Sequence, residues 1–237
     1  MTLAARGKLA LVGAGEYLPT MAAVDRVLLA ELEETPRVVV LPTAAVPDGA
    51  TTTVRWAQMG VDHFSQLGVR VEPVMLQTRE DANSTSIVTK LTEANFVYFS
   101  GGKPHYLLET LKDTLAWEAI KNIFMRGGVV AGCSAGAMVM GGVIFRFPQF
   151  WQTQPALGLV PDIAIIPHFN ELPATLSQAI DRIHVKETVV GIDAATALVW
   201  GNNTWTVQGH GTVTVFQEPK KVQYSAGQHV ALAPLTT

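Results

Sequence analysis

The chain has 237 residues, 48% hydrophobic and 16% charged, with 17 basic and 20 acidic residues and a formal net charge of -3. That length and apolar content can build one full hydrophobic core. The scattered charges leave no Lys/Arg cluster of the kind nucleic-acid binding needs, no uncharged apolar run reaches membrane-spanning length, and no His/Cys group has zinc spacing. The single Cys excludes an internal disulfide and suits a reducing, cytoplasmic setting. Met1 to Ala10 carries Arg6 and Lys8 and runs into a strand-like segment, unlike a secretory signal.

Lys8 to Gly13 reads as a buried strand ended by the turn Gly13-Ala14-Gly15. Met21, Val24, Leu28 and Leu32 recur at helical spacing. Arg37 to Leu41 is a second strand, Thr51 to Leu67 a second helix, and Val69 to Leu76 a third strand. Asn95 to Phe99 is a fourth strand, followed by Ser100-Gly101-Gly102 and a helix opened by Pro104. A helix over Leu115 to Met125 and the turn Gly127-Gly128 lead into the short apolar strand Val129-Val130-Ala131. Further on, Ile163 to Ile166 reads as a strand and Thr175 to Val185 as a helix. After Val189 come short β-like pieces: Ala197 to Trp200, Thr204 to Gln208, Thr212 to Phe216, Val222 to Tyr224 and His229 to Leu232.

Alternating apolar strands and helices predict an α/β three-layer sandwich whose mostly parallel central sheet is covered on both faces. The C-terminal strands are expected as an antiparallel meander appended to that sheet, with residues 1–237 forming one domain. Ligands bind such sheets at the carboxyl ends of the strands. Three loops are expected there: Gly13 to Glu16, Ser100 to Lys103, and Gly132 to Gly136.

Gly132-Cys133-Ser134-Ala135-Gly136 matches G-x-S-x-G between an apolar strand and an apolar helical segment. The tight turn leaves no room for side chains two residues either side of the Ser, lifts its hydroxyl off the sheet, and sets it near free N–H groups of the next helix. Ser134 is therefore the expected nucleophile; a structural Ser in a Gly-rich connection is the plainer alternative. Cys133 lies one place before the apex and is expected to be buried and inert.

Together these residues resemble peptidase family S51, which includes dipeptidase E and cyanophycinase. The matching pieces are Gly13-Ala14-Gly15-Glu16, Phe99-Ser100-Gly101-Gly102, the Gly132 to Ala137 elbow, Gly158-Leu159-Val160-Pro161, Pro167-His168-Phe169 and Gly191-Ile192-Asp193. The resemblance implies a class I glutamine amidotransferase-like, flavodoxin-like fold and a serine hydrolase cleaving small peptides or amides without metal or other cofactor. It implies Ser134 as nucleophile, His168 as base, and the N–H groups of Gly101 or Gly102 and of Ala135 as an oxyanion hole. The expected partners are a small peptide or amide and, at most, a second copy in a homodimer.

The third triad member departs from the family pattern. Cyanophycinase-like chains place a Glu directly after G-I-D, where this chain has Ala194. Dipeptidase E-like chains use an Asp in a polar loop beyond the Ser; here that region reads Phe145-Arg146-Phe147-Pro148-Gln149-Phe150-Trp151. Three carboxylates are the substitutes: Glu16, Glu171 and Asp193, the last expected to face away by strand alternation. Without an acid the chain reads instead as a degenerate binding or sensing protein. Lys103 and Arg146 are candidates to hold a substrate carboxylate, and Phe147, Phe150 and Trp151 to line a pocket or pack a loop. The Arg residues that follow the His-Phe motif in cyanophycinases are replaced by Asn170-Glu171-Leu172-Pro173.

Overall fold

The structure, a computed structural model, describes residues 7–146, 152–173, 180, 185–217 and 220–235. In chain order the first elements are β1 (Lys8–Val12), α1 (Ala22–Ala30), β2 (Arg37–Leu41), α2 (Ala50–Gln66) and β3 (Arg70–Pro73). Next come α3 (Thr85–Glu93), β4 (Phe96–Phe99), α4 (Pro104–Leu111), α5 (Leu115–Met125), β5 (Val129–Cys133) and α6 (Ala135–Met140). The remainder is β6 (Gly141–Phe145), β7 (Thr153–Pro155), β8 (Val160–Ile166), β9 (Thr188–Ile192), β10 (Thr196–Gly201), β11 (Thr204–Gly209), β12 (Thr212–Gln217), β13 (Lys220–Ser225) and β14 (His229–Val230).

An eight-stranded sheet runs β14-β11-β10-β1-β5-β4-β2-β3, parallel from β1 to β3 and antiparallel from β1 to β14. Strand alternation divides its side chains between two cores. Ala10, Val12, Val38, Val40, Phe96, Tyr98, Ala131 and Cys133 face α1 and α2, meeting Val24, Leu28 and Phe64. Leu9, Leu11, Val39, Leu41, Val97, Phe99 and Val130 face the other way, toward Leu107, Trp117, Ile120 and Val139 of the later helices. The expected α/β layering with a mostly parallel central sheet is present.

The C-terminal strands divide in a way the expected single meander did not allow. Among the described residues, only β10, β11 and β14 extend the main sheet; β12 and β13 join β6 to β9 in a six-stranded sheet of order β13-β12-β9-β8-β6-β7. The cause is packing: Val190, Ile192, Val213 and Val215 of that second sheet bury into the same cluster as Leu9 and Leu11. Phe147, Phe150, Trp151 and most of the expected helix Thr175 to Val185 lie outside the described residues.

Beneath the sheet, Asp25 of α1 and His63 of α2 form a buried pair, Oδ2 to Nε2 2.7 Å. Burial raises the Asp25 carboxyl from its ordinary value, and the His63 hydrogen bond and charge oppose that rise. His63→Leu removes the opposition, so the folded-state carboxyl climbs further while the unfolded one stays. The resulting loss of stability is smallest below the unfolded carboxyl's titration and grows as pH rises. Urea unfolding is expected to show a loss of about 3 kcal/mol near neutral pH, shrinking toward pH of about 4.

Candidate active site

β1, β4 and β5 end side by side, and their three following loops meet at one edge of the main sheet. Ser134 N–H donates to Val12 O at 2.9 Å, fixing the elbow to the end of β1. Ser134 takes φ 50°, ψ −108°. Such a conformation in a non-Gly residue costs about 1–3 kcal/mol and persists only where the surroundings enforce it. They do so here: a Cβ on Gly132 would stand 2.6 Å from the Gly136 backbone, and one on Gly136 2.7 Å from Phe99 Cβ.

His168 arrives from a different element. β8 ends at Ile166, and His168 adopts a left-handed conformation, φ 53°, ψ 33°, that turns the chain into a short 3-10 segment, Phe169–Glu171. The turn is closed by Glu171 N–H donating to His168 O at 2.9 Å. It brings the Glu171 carboxylate onto the ring of the residue three places before it. His168 Nδ1 lies 2.6 Å from Glu171 Oε2, and His168 Nε2 lies 3.0 Å from Ser134 Oγ. The chain Ser134–His168–Glu171 is thus continuous in hydrogen bonds. An imidazole so held can accept the hydroxyl proton at Nε2 while the carboxylate fixes its tautomer and offsets its charge.

The other two expected acids stand elsewhere. Glu16 is buried, its Oε1 accepting from Gly101 N–H at 2.7 Å and its Oε2 from the Cys133 thiol at 2.8 Å. Asp193 Oδ2 accepts from both the N–H and the hydroxyl of Thr212 at 2.8 Å, which ties it to the second sheet. Ala194 carries no side-chain donor or acceptor; its N–H donates to Asn170 Oδ1 at 2.8 Å. Asn170 thereby straps the His168 turn to the loop before β10. Sequence reading passed over Asn170, although a side-chain amide within a tight turn is a recognised device for binding backbone.

The oxyanion-hole expectation also needs correction at Gly101. Its N–H is already bonded to Glu16, so it is not free to face a ligand. Among the described residues, neither the N–H of Gly102 nor that of Ala135, the first residue of α6, donates to an acceptor. Gly102 has φ +143°, and a Cβ there would strike Ala44 O at 2.2 Å, so only glycine fits. Cys133 is fully buried, and burial together with the Glu16 charge pushes its thiol well above the ordinary range. It stays protonated, as a donor rather than a nucleophile. Lys103 pairs with Asp48 at 3.2 Å and the Arg146 guanidinium with Gln154 Oε1 at 3.1 and 3.2 Å. Neither expected carboxylate holder is therefore unpartnered. Among the described residues no group of three or more His, Cys, Asp and Glu could hold a metal ion, and no helix is long and apolar enough to cross a membrane.

The chain has relatives. The family model for peptidase family S51 matches residues 9–208. The chain belongs to peptidase family S51. A cyanophycinase of Nostoc sp. is 30% identical over 189 residues, 73% of this chain, which spans only 62% of that protein's length. An uncharacterized peptidase of Listeria monocytogenes is 29% identical over 140 residues, covering 56% of this chain and 65% of the relative. The crystal structure of a peptidase from an acI-B1 Actinobacterium matches with a TM-score of 0.89 at 32% identity, covering 96% of this chain and 98% of that one. This S51 chain thus matches a solved peptidase over nearly all of both chains, and cyanophycinases over about three quarters of its own length and less than two thirds of theirs.

Proposed function

We propose that this S51 chain is a serine hydrolase that cleaves small peptides through an acyl-enzyme on Ser134. The observation that carries the reading is the unbroken contact from Ser134 Oγ through His168 to Glu171. In the proposed cycle His168 Nε2 takes the hydroxyl proton as Oγ attacks the scissile carbonyl. The N–H groups of Gly102 and Ala135 receive the oxyanion. His168 then returns its proton to the leaving amine, and a water attacks the acyl-enzyme by the same route.

Glu171 supplies what Ala194 does not, an orienting carboxylate on Nδ1, and this favours an active hydrolase over a degenerate binding protein. The acid comes from the histidine's own turn. Several relatives are named cyanophycinase, but Asn170-Glu171-Leu172-Pro173 leaves no arginine beside His168 to support the same substrate here. Short peptides are the proposed class instead. Incubating the purified chain with a mixed panel of di- to tetrapeptides and following products by mass spectrometry tests this. Cleavage that disappears in Ser134→Ala supports the reading; cleavage unchanged by that substitution contradicts it.

A further inference from the structure

The Glu16 carboxylate belongs to neither the Ser134–His168–Glu171 chain nor the solvent. It is 6% exposed and lies between the end of β1, the loop after β4 and the last residue of β5. One oxygen receives the Gly101 N–H at 2.7 Å and the other the Cys133 thiol at 2.8 Å. A buried carboxylate without partners is costly, so its two bonds hold these segments together in return for its burial.

The consequence falls on the peptide unit between them. On one side of Gly102, the Gly101 N–H is pinned by Glu16; on the other, the Lys103 N–H donates to Ala44 O at 2.7 Å. Ser100 is held as well, its N–H donating to Leu41 O at 3.2 Å. Gly102 is thereby clamped from both sides while its own N–H donates to no acceptor among the described residues. Across the same carboxylate, Cys133 immediately precedes Ser134, and an added Cβ on Gly101 would stand 2.9 Å from Glu16 Oε1 and 3.4 Å from Ser134 Cβ. The loop, the carboxylate and the elbow are in contact, with no slack between them.

We infer that Glu16 is a positioning residue for hydrolysis: it joins the Gly101 amide to the Cys133 thiol and so sets the Gly102 N–H at a fixed distance from Ser134 Oγ. It also withdraws the Gly101 N–H from the crevice, leaving Gly102 and Ala135 as the donor pair. This inference rests on the serine-hydrolase reading, because the Gly102 N–H matters only if charge develops on an oxygen beside it. A bond donor aimed at a developing oxyanion acts only when its direction is fixed before the reaction.

Three variants and two readouts test it. Glu16→Ala frees the loop and is expected to lower kcat and the rate of Ser134 phosphonylation by a fluorophosphonate about 10²-fold, with KM little changed. Glu16→Gln can still accept from Gly101 through its amide oxygen while its NH2 group faces the Cys133 sulfur, and is expected to restore most of the rate. Glu16→Asp is one methylene too short to reach both partners and is expected to fall between the two; it serves where Glu16→Ala does not fold. Hydrogen exchange at the Gly101 amide, which is bonded to Glu16, should quicken in Glu16→Ala and Glu16→Asp and stay slow in Glu16→Gln. A folded Glu16→Ala or Glu16→Asp with wild-type phosphonylation, or with unchanged exchange at the Gly101 amide, overturns the inference. A wild-type chain that is never phosphonylated counts against the serine-hydrolase reading instead, and exchange then decides by itself whether Glu16 holds the loop.

Discussion

Replacing His168 by Ala is expected to lower peptide turnover by about 10⁴–10⁶-fold, and Ser134→Ala by a similar factor. A Ser hydroxyl is a poor nucleophile near neutral pH until a base within hydrogen-bond reach removes its proton, and His168 Nε2 stands 3.0 Å from Oγ. The two groups act as one unit, so the double variant should be hardly slower than either single one. Independent contributions would instead multiply. What remains in all three variants is catalysis from binding and from the Gly102 and Ala135 amides. Steady-state rates on one cleaved peptide, with circular dichroism to verify folding, distinguish these outcomes.

Glu171→Gln is the second large effect, and its size follows from exposure. A deeply buried acid partner contributes about 10⁴ in rate, because its replacement by an amide leaves the imidazole in the wrong tautomer. Glu171 lies 2.6 Å from Nδ1 but its side chain is 55% exposed, so water shares the task of stabilising the imidazolium. The expected loss is therefore smaller, about 10²–10³-fold in kcat, with KM within a few-fold. Asp193→Asn, by contrast, should act on stability through Thr212 and not on this step, since its carboxylate is bonded to Thr212 while Glu171 is bonded to His168. Comparing kcat for the two variants under identical conditions separates the acid that touches the imidazole from the one that does not. Equal losses would remove Glu171 from its proposed role.

The main-sheet strands were legible because buried parallel strands are continuous apolar runs. Arg37 to Leu41 is β2 residue for residue, and Val129 onward is β5, extended to Cys133. The second sheet was not legible. A strand's sequence records that it is half-buried but not which neighbour it pairs with, so Thr212 to Phe216, expected on the main sheet, pairs in the second one instead. β6 follows α6 without a connecting loop, its turn made by Gly141, and no separate punctuation marked it. α3 escaped because its β-branched residues Thr85, Ile87, Val88, Thr89 and Thr92 blur a helical pattern, and only Leu91 is fully buried.

At the candidate site, the order of motifs is what singles out Ser134 and His168 in the sequence. The proposed acid was one carboxylate among three, because the direction of Glu171 depends on a left-handed backbone at His168 that no residue type there demands. Glu16 drew attention as a carboxylate at a strand end among glycines, yet sequence cannot tell an acid aimed at a histidine from one aimed at a backbone amide. The Gly101 contact decides between them.

The account depends most on His168 activating Ser134. Mass spectrometry of the intact chain and its peptides after fluorophosphonate treatment measures that directly, without knowledge of the substrate. The account predicts one adduct per chain, mapped to Ser134, forming orders of magnitude more slowly in His168→Ala. An adduct on another residue, none on the wild-type chain, or one that forms equally fast without His168 would contradict it.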